Sequence, residues 1–239
     1  MKITILIPAY NERNTIREIL RRVDALAFDK QVIVVDDGST DGTREILQGM
    51  QGRSIELILL NENRGKGAAL RTALEHAVGD LVVIQDADLE YDPRDLERMV
   101  RVMQEEKMKV LYGSRVLGNA PWSGVGFYLG GRFLSLLTNV LYGSRITDEP
   151  TCYKMFDRQL LVSLRLSAER FEFCPEVTAK VLRLGYMIHE VPISYTPRSR
   201  LAGKKIKFMD GIAAIWTLLR HRWIPISRFS SREPAGGNH

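Results

Sequence analysis

Short apolar runs alternate with stretches of helical periodicity along the first half of the chain. Residues 2–8 form an apolar run closed by a proline, which is typical of a strand buried on both faces. Four further runs predict strands at 31–35, 55–60, 81–84 and 109–113. Between the runs, apolar residues recur every three or four positions, which predicts helices at 16–26, 65–78 and 93–106. Alternation of this kind predicts an open, mostly parallel α/β sheet with helices on both faces.

The second half of the chain is less regular. It predicts helices at 127–142, 153–166 and 174–184, and a strand within 186–195. From Lys207 to Arg222 the larger apolar residues fall along one helical stripe, which predicts a C-terminal amphipathic helix. We therefore expect a domain over residues 1–206, a basic amphipathic segment over 207–229 and, because its residues are small and polar, a disordered tail over 230–239.

The charge of the chain is unevenly distributed. The 239 residues include 45% hydrophobic and 26% charged residues, which excludes a wholly disordered chain. Residues 198–232 contain nine basic residues and one acid, a net charge of +8, so the rest of the chain carries −3 of the total of +5. A basic segment on a slightly acidic body indicates an anionic partner near the C-terminal end.

The sequence shows neither a clear targeting signal nor a cysteine pattern typical of disulfides or zinc sites. No stretch approaches the roughly 18 consecutive apolar residues of a membrane span, and no small-residue cleavage site follows the first apolar run. Cys152 and Cys174 are too few for a disulfide framework or a zinc cluster, and we interpret them as buried thiols in a reducing compartment. These features predict a cytoplasmic protein.

Acidic residues follow three of the predicted strands. The segments are 8–12 (PAYNE), 36–42 (DDGSTDG) and 85–90 (QDADLE). Ligands of open α/β sheets bind at the carboxyl ends of the strands. The three segments therefore predict a binding site at one edge of the sheet.

Asp86 and Asp88 form the most informative pair. Residues two apart in extended backbone point to the same side, and two carboxylates held together favour a cation between them. Hard oxygen ligands suit Mg²⁺ or Mn²⁺, which also bridge substrate phosphates, and Glu90 would supply a further ligand. The alternative is a set of solvated helix caps, and we assign that role to Asp92 before Pro93.

Two other polar segments are open to more than one interpretation. Asp36 and Asp37 either form a turn or accept hydrogen bonds from a nucleotide base or ribose, whereas Asp41 is interpreted as a cap. The glycine-rich segment 61–67 leads into a helix and places Lys66 at a potential anion site. Neither the P-loop pattern nor the dinucleotide-binding pattern is present.

Taken in order, four motifs carry a resemblance to a known family. PAYNE at 8–12, DDGSTDGT at 36–43, NRGKGAA at 63–69 and DADLE at 86–90 resemble the family 2 glycosyltransferases of the GT-A fold. The resemblance is to the dolichol- or polyprenyl-phosphate sugar synthase branch and covers roughly residues 2–222. Further segments of the same branch are GSR at 113–115, TCYK at 151–154 and PISY at 192–195 with a following arginine.

The resemblance implies a GT-A, Rossmann-like fold and an inverting transfer of a hexose from a nucleotide sugar of the UDP-glucose or GDP-mannose type. It implies the following donor-site residues: Pro8, Tyr10 and Glu12 around the nucleotide, Asp37 or Asp36 on base or ribose, Lys66 near the nucleotide, and Asp86, Asp88 and Glu90 on the metal, Mg²⁺ or Mn²⁺. Relatives often carry glutamine where this chain has Glu90, which leaves the metal preference open.

The implied acceptor is a polyprenyl phosphate. Its phosphate is already anionic, so no strong general base is required. Arg115, Arg132 and Arg198 are the candidates to bind it, because arginine suits bidentate phosphate contact, and Asp88, Arg115 and Arg198 are the predicted catalytic residues. Solvated surface charge is the alternative for each arginine. Lys204 and Lys205 would assist or contact lipid headgroups.

The basic C-terminal helix predicts a peripheral location on the inner membrane face, with reversible association. The alternative is that its apolar residues belong to the core. Rival functions are transfer to a hydroxyl of a saccharide or small molecule, with Glu172 or Glu176 as general base, and a non-catalytic nucleotide- or lipid-binding module. We expect no nucleic-acid partner.

Overall fold

A computed structural model describes residues 1–50, 55–121, 124–198 and 208–230. These residues form a seven-stranded sheet with helices packed on both faces. The strands are β1 (Ile3–Ala9), β2 (Lys30–Asp36), β3 (Glu56–Leu59), β4 (Leu81–Ile84), β5 (Val110–Ser114), β6 (Lys154–Asp157) and β7 (His189–Pro192). The helices are α1 (Ile16–Asp24), α2 (Thr43–Gln48), α3 (Lys66–Glu75), α4 (Asp95–Glu105), α5 (Val125–Tyr142), α6 (Arg158–Ser163), α7 (Phe173–Arg183) and α8 (Phe208–Trp223).

The strand order of the sheet creates a crevice beside its central strand. The order is β3-β2-β1-β4-β6-β5-β7, and every pair is parallel except those made by β6. The chain moves outward from β1 to β3 on one side and then crosses to place β4 on the other side of β1. The carboxyl ends of β1 and β4 therefore flank the point where the strand order reverses, which is where ligands of open α/β sheets bind.

Two hydrophobic clusters cover the two faces of the sheet. Alternate residues of β1 divide between them: Ile5 packs with α1 and α4, whereas Leu6 packs with α3 and α7. The central strands read as almost continuous apolar sequence because both of their faces are buried. This arrangement confirms the predicted α/β class.

The predicted helix over 153–166 is partly wrong. Its first part is β6, which lies between β4 and β5 and pairs antiparallel with both. Met155 faces Val83 on one side and Leu111 on the other, so sheet pairing on two sides outweighs the local helical pattern. Helix α6 begins only after Asp157, whose carboxylate accepts a hydrogen bond from the Leu160 N–H at 2.9 Å. The sequence pattern also failed to predict helix α2.

The predicted C-terminal helix is present, whereas the division of the chain into a domain, a basic segment and a tail stays a prediction. Helix α8 covers most of the predicted amphipathic segment, and a short 3-10 helix follows at Ile226–Arg228. Lys204, Lys205, the boundary at residue 206 and the tail after residue 230 lie outside the described residues. Within the described ranges, none of the helices combines the length and apolar character needed to cross a bilayer.

Candidate active site

Helix α3 carries Lys66 into the crevice. Gly65, which precedes it, has φ +99, and a side chain there would meet the Glu169 carbonyl oxygen at 2.5 Å, so this approach requires glycine. Lys66 Nζ lies 2.5 Å from Asp86 Oδ1 and donates to Cys152 Sγ at 3.0 Å. The predicted donor-site residues Lys66 and Asp86 are thus brought together as a half-buried ion pair.

The charges of this pair stabilise one another. Burial alone would lower the pKa of Lys66, but Asp86 outweighs it and holds the pKa well above the ordinary value. Burial likewise would raise the pKa of Asp86, but Lys66 and neighbouring donors keep it below the ordinary value. Asp86 is therefore a carboxylate at neutral pH.

Asp88 has a different environment. Its Oδ1 accepts from the Glu90 N–H at 3.0 Å, across a turn in which Leu89 takes a left-handed φ of +63. Its Oδ2 accepts from Arg198 Nη2 at 3.0 Å. Burial and the negative charges of Asp86 and Glu90 outweigh Arg198 and raise the pKa of Asp88 to about 7. The surroundings of Asp88 are thus short of positive charge.

Arg198 connects the ends of β1 and β4. Its Nη1 and Nη2 donate to the two carboxylate oxygens of Glu12 at 3.0 and 3.1 Å, while Nη2 also reaches Asp88. Glu12 is buried, and its backbone N–H donates to Thr43 Oγ1 at 2.8 Å, which fixes the turn after β1. Three predicted site residues, Glu12, Asp88 and Arg198, therefore form one cluster.

Glu90 is engaged by the segment that follows β7. One of its oxygens accepts from the Arg198 N–H at 2.7 Å and the other from the Tyr195 hydroxyl at 2.9 Å. Within the described ranges, no three His, Cys, Asp or Glu side chains are grouped to hold a metal ion. The role of Glu90 as a further metal ligand, directly or through water, stays a prediction.

Asp86 and Asp88 by themselves still suit Mg²⁺ or Mn²⁺. Both are half-buried hard-oxygen donors at the carboxyl end of β4, and each already lies against a positively charged side chain. Mg²⁺ commonly takes only one or two protein carboxylates and completes its shell with water and substrate phosphate. The donor chemistry of the pair therefore fits the predicted cation.

The acidic pair after β2 is enclosed. Arg44 contacts Asp36 Oδ2 at 2.7 Å, while the buried Asp36 Oδ1 has no hydrogen-bond partner in the described part of the chain. Asp37 accepts from the backbone N–H groups of Arg64 and Gly65 at 2.8 and 2.9 Å and from the Asn63 side chain. Burial raises the pKa of Asp37 despite these bonds. Asp37 thus anchors the loop before α3, and its contact with a nucleotide base or ribose stays a prediction.

Pro8 and Tyr10 lie at the end of β1. Pro8 is half-buried opposite Val35 of β2, and Tyr10 is half-buried directly after the strand. Their assignment to the nucleotide stays a prediction.

Arg115, which was predicted to bind the acceptor phosphate, is buried in the structure. Its Nε and Nη2 donate to the two oxygens of buried Asp148 at 2.8 and 2.7 Å, and its guanidinium lies 5.1 Å from the centre of the Tyr195 ring. Arg132, on the exposed side of α5, donates to the Thr147 carbonyl at 3.1 Å. Thr147 and Asp148 thus hold the two arginines beside the same loop.

The two glutamates proposed as general bases for a hydroxyl acceptor make structural contacts. Glu176 is buried, lies 2.7 Å from Lys180 Nζ and accepts from the Ser167 and Ala168 N–H groups. Burial would raise the pKa of Glu176, but Lys180 and these hydrogen bonds keep it below the ordinary value. Glu172 accepts from the N–H groups of Glu169 and Arg170 at the start of α7. Both glutamates are thus explained by local structure.

Three site residues were missed by sequence reasoning: Asp148, Cys152 and Tyr195. Asp148 is 33 positions from its partner Arg115, and no sequence spacing links them. Cys152 and Tyr195 fall in segments that carry the family resemblance, TCYK and PISY, which was the available signal. Their roles as neighbours of Lys66 and Glu90 depend on the folded chain.

Several curated proteins resemble this chain. It is 28% identical over 205 residues to an undecaprenyl-phosphate 4-deoxy-4-formamido-L-arabinose transferase of Pseudomonas fluorescens, covering 82% of this chain and 58% of that protein. The transferase of the same name from Klebsiella pneumoniae is 25% identical over 228 residues, covering 91% of this chain and 66% of that protein. The chain thus spans about three fifths of the length of these relatives.

Solved structures show the same fold. Glucosyl-3-phosphoglycerate synthase from Mycobacterium tuberculosis in complex with phosphoglyceric acid matches with a TM-score of 0.72 and 24% identity, over 94% of this chain and 81% of that chain. Its complex with Mn²⁺, UDP and phosphoglyceric acid matches with a TM-score of 0.68 and 22% identity, over 94% and 79%.

A family model defines the relationship. The model described as glycosyl transferase family 2 matches residues 4–164, which include β1 to β6 and the clusters at the ends of β1, β2 and β4. It therefore contains all the motifs on which the sequence resemblance chiefly depends. The chain belongs to glycosyl transferase family 2.

Proposed function

We propose that this chain transfers a hexose, with inversion at the anomeric carbon, from a nucleoside-diphosphate sugar to a polyprenyl phosphate at the inner membrane surface. The observation that carries the proposal is the half-buried pair Asp86 and Asp88 at the reversal point of the sheet. Membership of the family and the names of the relatives support the reaction class and the acceptor.

The donor side of the reaction depends on the end of β4. A divalent cation held by Asp86 and Asp88 would act as a Lewis acid toward the departing diphosphate. Lys66 fixes the position of Asp86, and the turn at Leu89 fixes that of Asp88. Pro8 and Tyr10 line the neighbouring end of β1, where the nucleotide would lie. The neighbours crystallised with UDP and Mn²⁺ support this assignment of the crevice.

The acceptor side depends on arginines. A phosphate monoester is anionic at neutral pH, so the protein has to position it and needs no strong base. Arg132 is exposed and Arg198 lies at the carboxylate cluster, so both are suited to contact the phosphate. Arg115 is held in one orientation by Asp148, and we assign it to positioning the loop at the acceptor side.

Helix α5 has an inverted distribution of apolar residues. Its buried positions are small or polar, namely Gly131, Ser135 and Thr138. Its exposed positions are large and apolar and repeat every three or four residues: Val125, Leu129, Phe133, Leu136 and Val140. A helix that meets water on its outer face shows the opposite pattern. The outer face of α5 is therefore suited to an apolar environment.

Helix α8 continues this surface. Its exposed side carries Met209, Ile212, Trp216, Leu219 and Trp223. The two helices are in contact, and the Tyr142 hydroxyl of α5 donates to the Leu218 carbonyl of α8 at 2.5 Å. Arg220 and Arg222 add exposed positive charge. An apolar face flanked by arginine and tryptophan is typical of a helix pair that lies in a membrane interface. Membrane contact through this α5–α8 face would bring the lipid-borne phosphate to Arg132.

A small anionic acceptor is the second candidate. It is favoured by the structural neighbours that were crystallised with phosphoglyceric acid. Transfer to such a hydroxyl acceptor requires a general base, and the structure engages both Glu172 and Glu176 in other contacts. The polyprenyl phosphate therefore fits the arrangement of the site better.

Transfer assays with two acceptors test the proposal. The chain is incubated with Mn²⁺ and either radiolabelled UDP-glucose or radiolabelled GDP-mannose, together with a short polyprenyl phosphate or with phosphoglyceric acid. We expect labelled lipid with one of the donors and none when EDTA is present. Labelled phosphoglycerate without labelled lipid would replace the proposal with the second candidate. Binding of donor without transfer to either acceptor would contradict both.

A further inference from the structure

We propose that Arg198 is the resident counter-ion of the donor site and that it competes with the divalent cation for Asp88. This inference rests on the proposed function for the identity of the site. In the structure, the guanidinium already contacts Asp88 Oδ2, an oxygen of the carboxylate that would hold the metal ion. Binding of the metal would therefore release Arg198 from Asp88.

The surroundings of the guanidinium support an exchangeable contact. Arg198 Nη2 is shared between Glu12 Oε1 and Asp88 Oδ2, at 3.1 and 3.0 Å. Its buried Nε has no hydrogen-bond partner within the described part of the chain. Buried donors of folded proteins are nearly always paired, so this position leaves the guanidinium incompletely satisfied.

The charge balance of the cluster also favours exchange. Four carboxylates surround two cationic side chains, and the group comprises Glu12, Asp86, Asp88 and Glu90 with Lys66 and Arg198. A divalent cation supplies more charge than the guanidinium and, as a hard ion, suits carboxylate oxygen better. Glu12 and Glu90 hold Arg198 independently of Asp88, so the arginine stays at the site after it leaves the aspartate.

Exchange would set an order of binding. While Arg198 contacts Asp88, its Nη2 is shared between two carboxylates and is not available to an acceptor phosphate. Metal binding would free the share of Nη2 that Asp88 holds, for use by the anionic acceptor. The cation would therefore bind before the acceptor, and the nucleophile would not gather at a site that lacks the cation.

Direct measurement of Mn²⁺ binding tests the competition without any turnover. Free Mn²⁺ is titrated by electron paramagnetic resonance against the full chain, its Arg198→Gln variant and its Arg132→Gln variant. Arg132 is the matched control, because it loses the same charge but contacts the Thr147 carbonyl outside the carboxylate cluster. We expect Arg198→Gln to bind Mn²⁺ about tenfold more tightly, and Arg132→Gln to bind it as the parent chain does. Unchanged or weaker binding by Arg198→Gln overturns the inference.

Chemical labelling provides a test that needs no variant. The parent chain is treated with phenylglyoxal, which modifies accessible arginines, with and without saturating Mn²⁺, and the labelled sites are mapped by mass spectrometry. We expect labelling of Arg198 to accelerate severalfold with Mn²⁺, while labelling of the exposed Arg21 on α1 stays constant. Constant or slower labelling of Arg198 contradicts its release from Asp88.

These outcomes are separate from those of the transfer assay. Neither measurement contains donor or acceptor, so failure to glycosylate a polyprenyl phosphate leaves the exchange of Arg198 standing. Conversely, transfer to the lipid together with unchanged Mn²⁺ affinity in Arg198→Gln would retain the proposed function and reject the exchange.

Discussion

Individual charged residues at the site differ in whether their charge is satisfied. The Lys66–Asp86 pair is mutually stabilised, whereas Asp88 has two carboxylates near it and shares its guanidinium partner with Glu12. A carboxyl group whose pKa is raised to about 7 indicates a position that favours added positive charge. Asp88 is therefore the residue whose substitution most directly tests the metal assignment.

We expect Asp88→Asn to lower the rate of sugar transfer at least about a hundredfold, because the variant loses the charge that would hold the cation. The fold should persist, since asparagine keeps the size of the side chain and removes a charge that burial disfavours. Initial rates with Mn²⁺ and circular dichroism check the two parts. Asp92→Asn, which changes an exposed contact with Arg94, is the control and should retain full activity. A turnover equal to that of the parent chain would rule out the metal role.

The Arg115–Asp148 pair provides a prediction about stability. Asp148 is fully buried and accepts three hydrogen bonds from Arg115, including that of its backbone N–H. Asp148→Asn would leave the guanidinium buried without its counter-charge, and we expect a loss of about 3–5 kcal/mol in the free energy of unfolding. Urea denaturation measures it. The same substitution at Asp92 should change stability by no more than about 0.5 kcal/mol. Equal effects at the two positions would contradict the assigned importance of the buried pair.

Glu149 provides a prediction about pH. It is fully buried, and burial raises its pKa above the ordinary value of 4.5 despite the nearby Lys154. The neutral form is therefore the stable one in the folded chain, and its contribution is present below the ordinary pKa and is lost as the pH rises through the raised value. Glu149→Gln stays neutral, so its stability relative to the parent chain should increase from about pH 5 to about pH 8. Urea unfolding at both pH values measures the difference, and a constant difference would show that the carboxylate is not disfavoured.

Sequence reasoning predicted some of these residues and not others, for a physical reason. Asp86 and Asp88 are predictable because a buried strand immediately precedes them and their spacing alone places them on one side. The use of Glu90 by Tyr195 and Arg198 is not predictable, because it joins residues more than 100 positions apart. Asp37 shows the same limit, since its bonds to the loop before α3 appear only in the folded chain.

At the scale of elements, strands in the centre of the sheet were easier to predict than β6. The strands β1, β2 and β4 are apolar on both faces, so their sequences are almost continuous apolar runs. Strand β6 is four residues long and depends on partners at both of its edges. Its identity comes from tertiary pairing, which a local pattern does not contain.

On helices α5 and α8 the sequence shows a periodic apolar stripe but does not show whether the stripe faces the core or the outside of the molecule. The stripe on α8 could face either the core or a membrane, and the structure exposes most of it. Trp216 is 64% exposed, whereas Ala214 and Leu218 are buried. The exposed stripe of α5, which includes Phe133, lies on the neighbouring helix. Periodicity identifies such a stripe, but only the packing of the other face tells which side is turned outward.

We expect Phe133→Glu and Trp216→Glu each to weaken binding to vesicles of phosphatidylcholine and phosphatidylglycerol about tenfold. The reason is that each substitution removes a large apolar side chain from the α5–α8 face and adds a charge that anionic lipid repels. Co-sedimentation at low salt measures the binding. Val162→Glu is the matched control, because Val162 is a 50% exposed apolar residue on α6, outside this face. If all three variants sediment as the parent chain does, the face is not a membrane surface.

At the scale of the whole molecule, the order of the strands determines where all these residues meet. Segments separated by about 75 positions, at the ends of β1 and β4, become neighbours because the chain returns to the opposite side of β1. The site therefore belongs to the sheet as a whole, and a ligand that joins these segments should stabilise the entire fold. Ligand binding to the folded state alone adds about 2.7 kcal/mol at a concentration a hundred times Kd.

For a chain of this size that gain corresponds to a rise of roughly 5–10 °C in the melting temperature. We expect the rise when Mn²⁺ and the matching nucleoside diphosphate, UDP or GDP, are added together, and only a small change with either alone, because the diphosphate and the two aspartates complete one coordination shell. Differential scanning fluorimetry of the parent chain and Asp88→Asn measures it. The variant should lose the combined effect while keeping any response to nucleotide alone. An equal rise in both proteins would place the cation elsewhere in the molecule, since the contact between metal and Asp88 would then contribute nothing to the stability of the loaded fold.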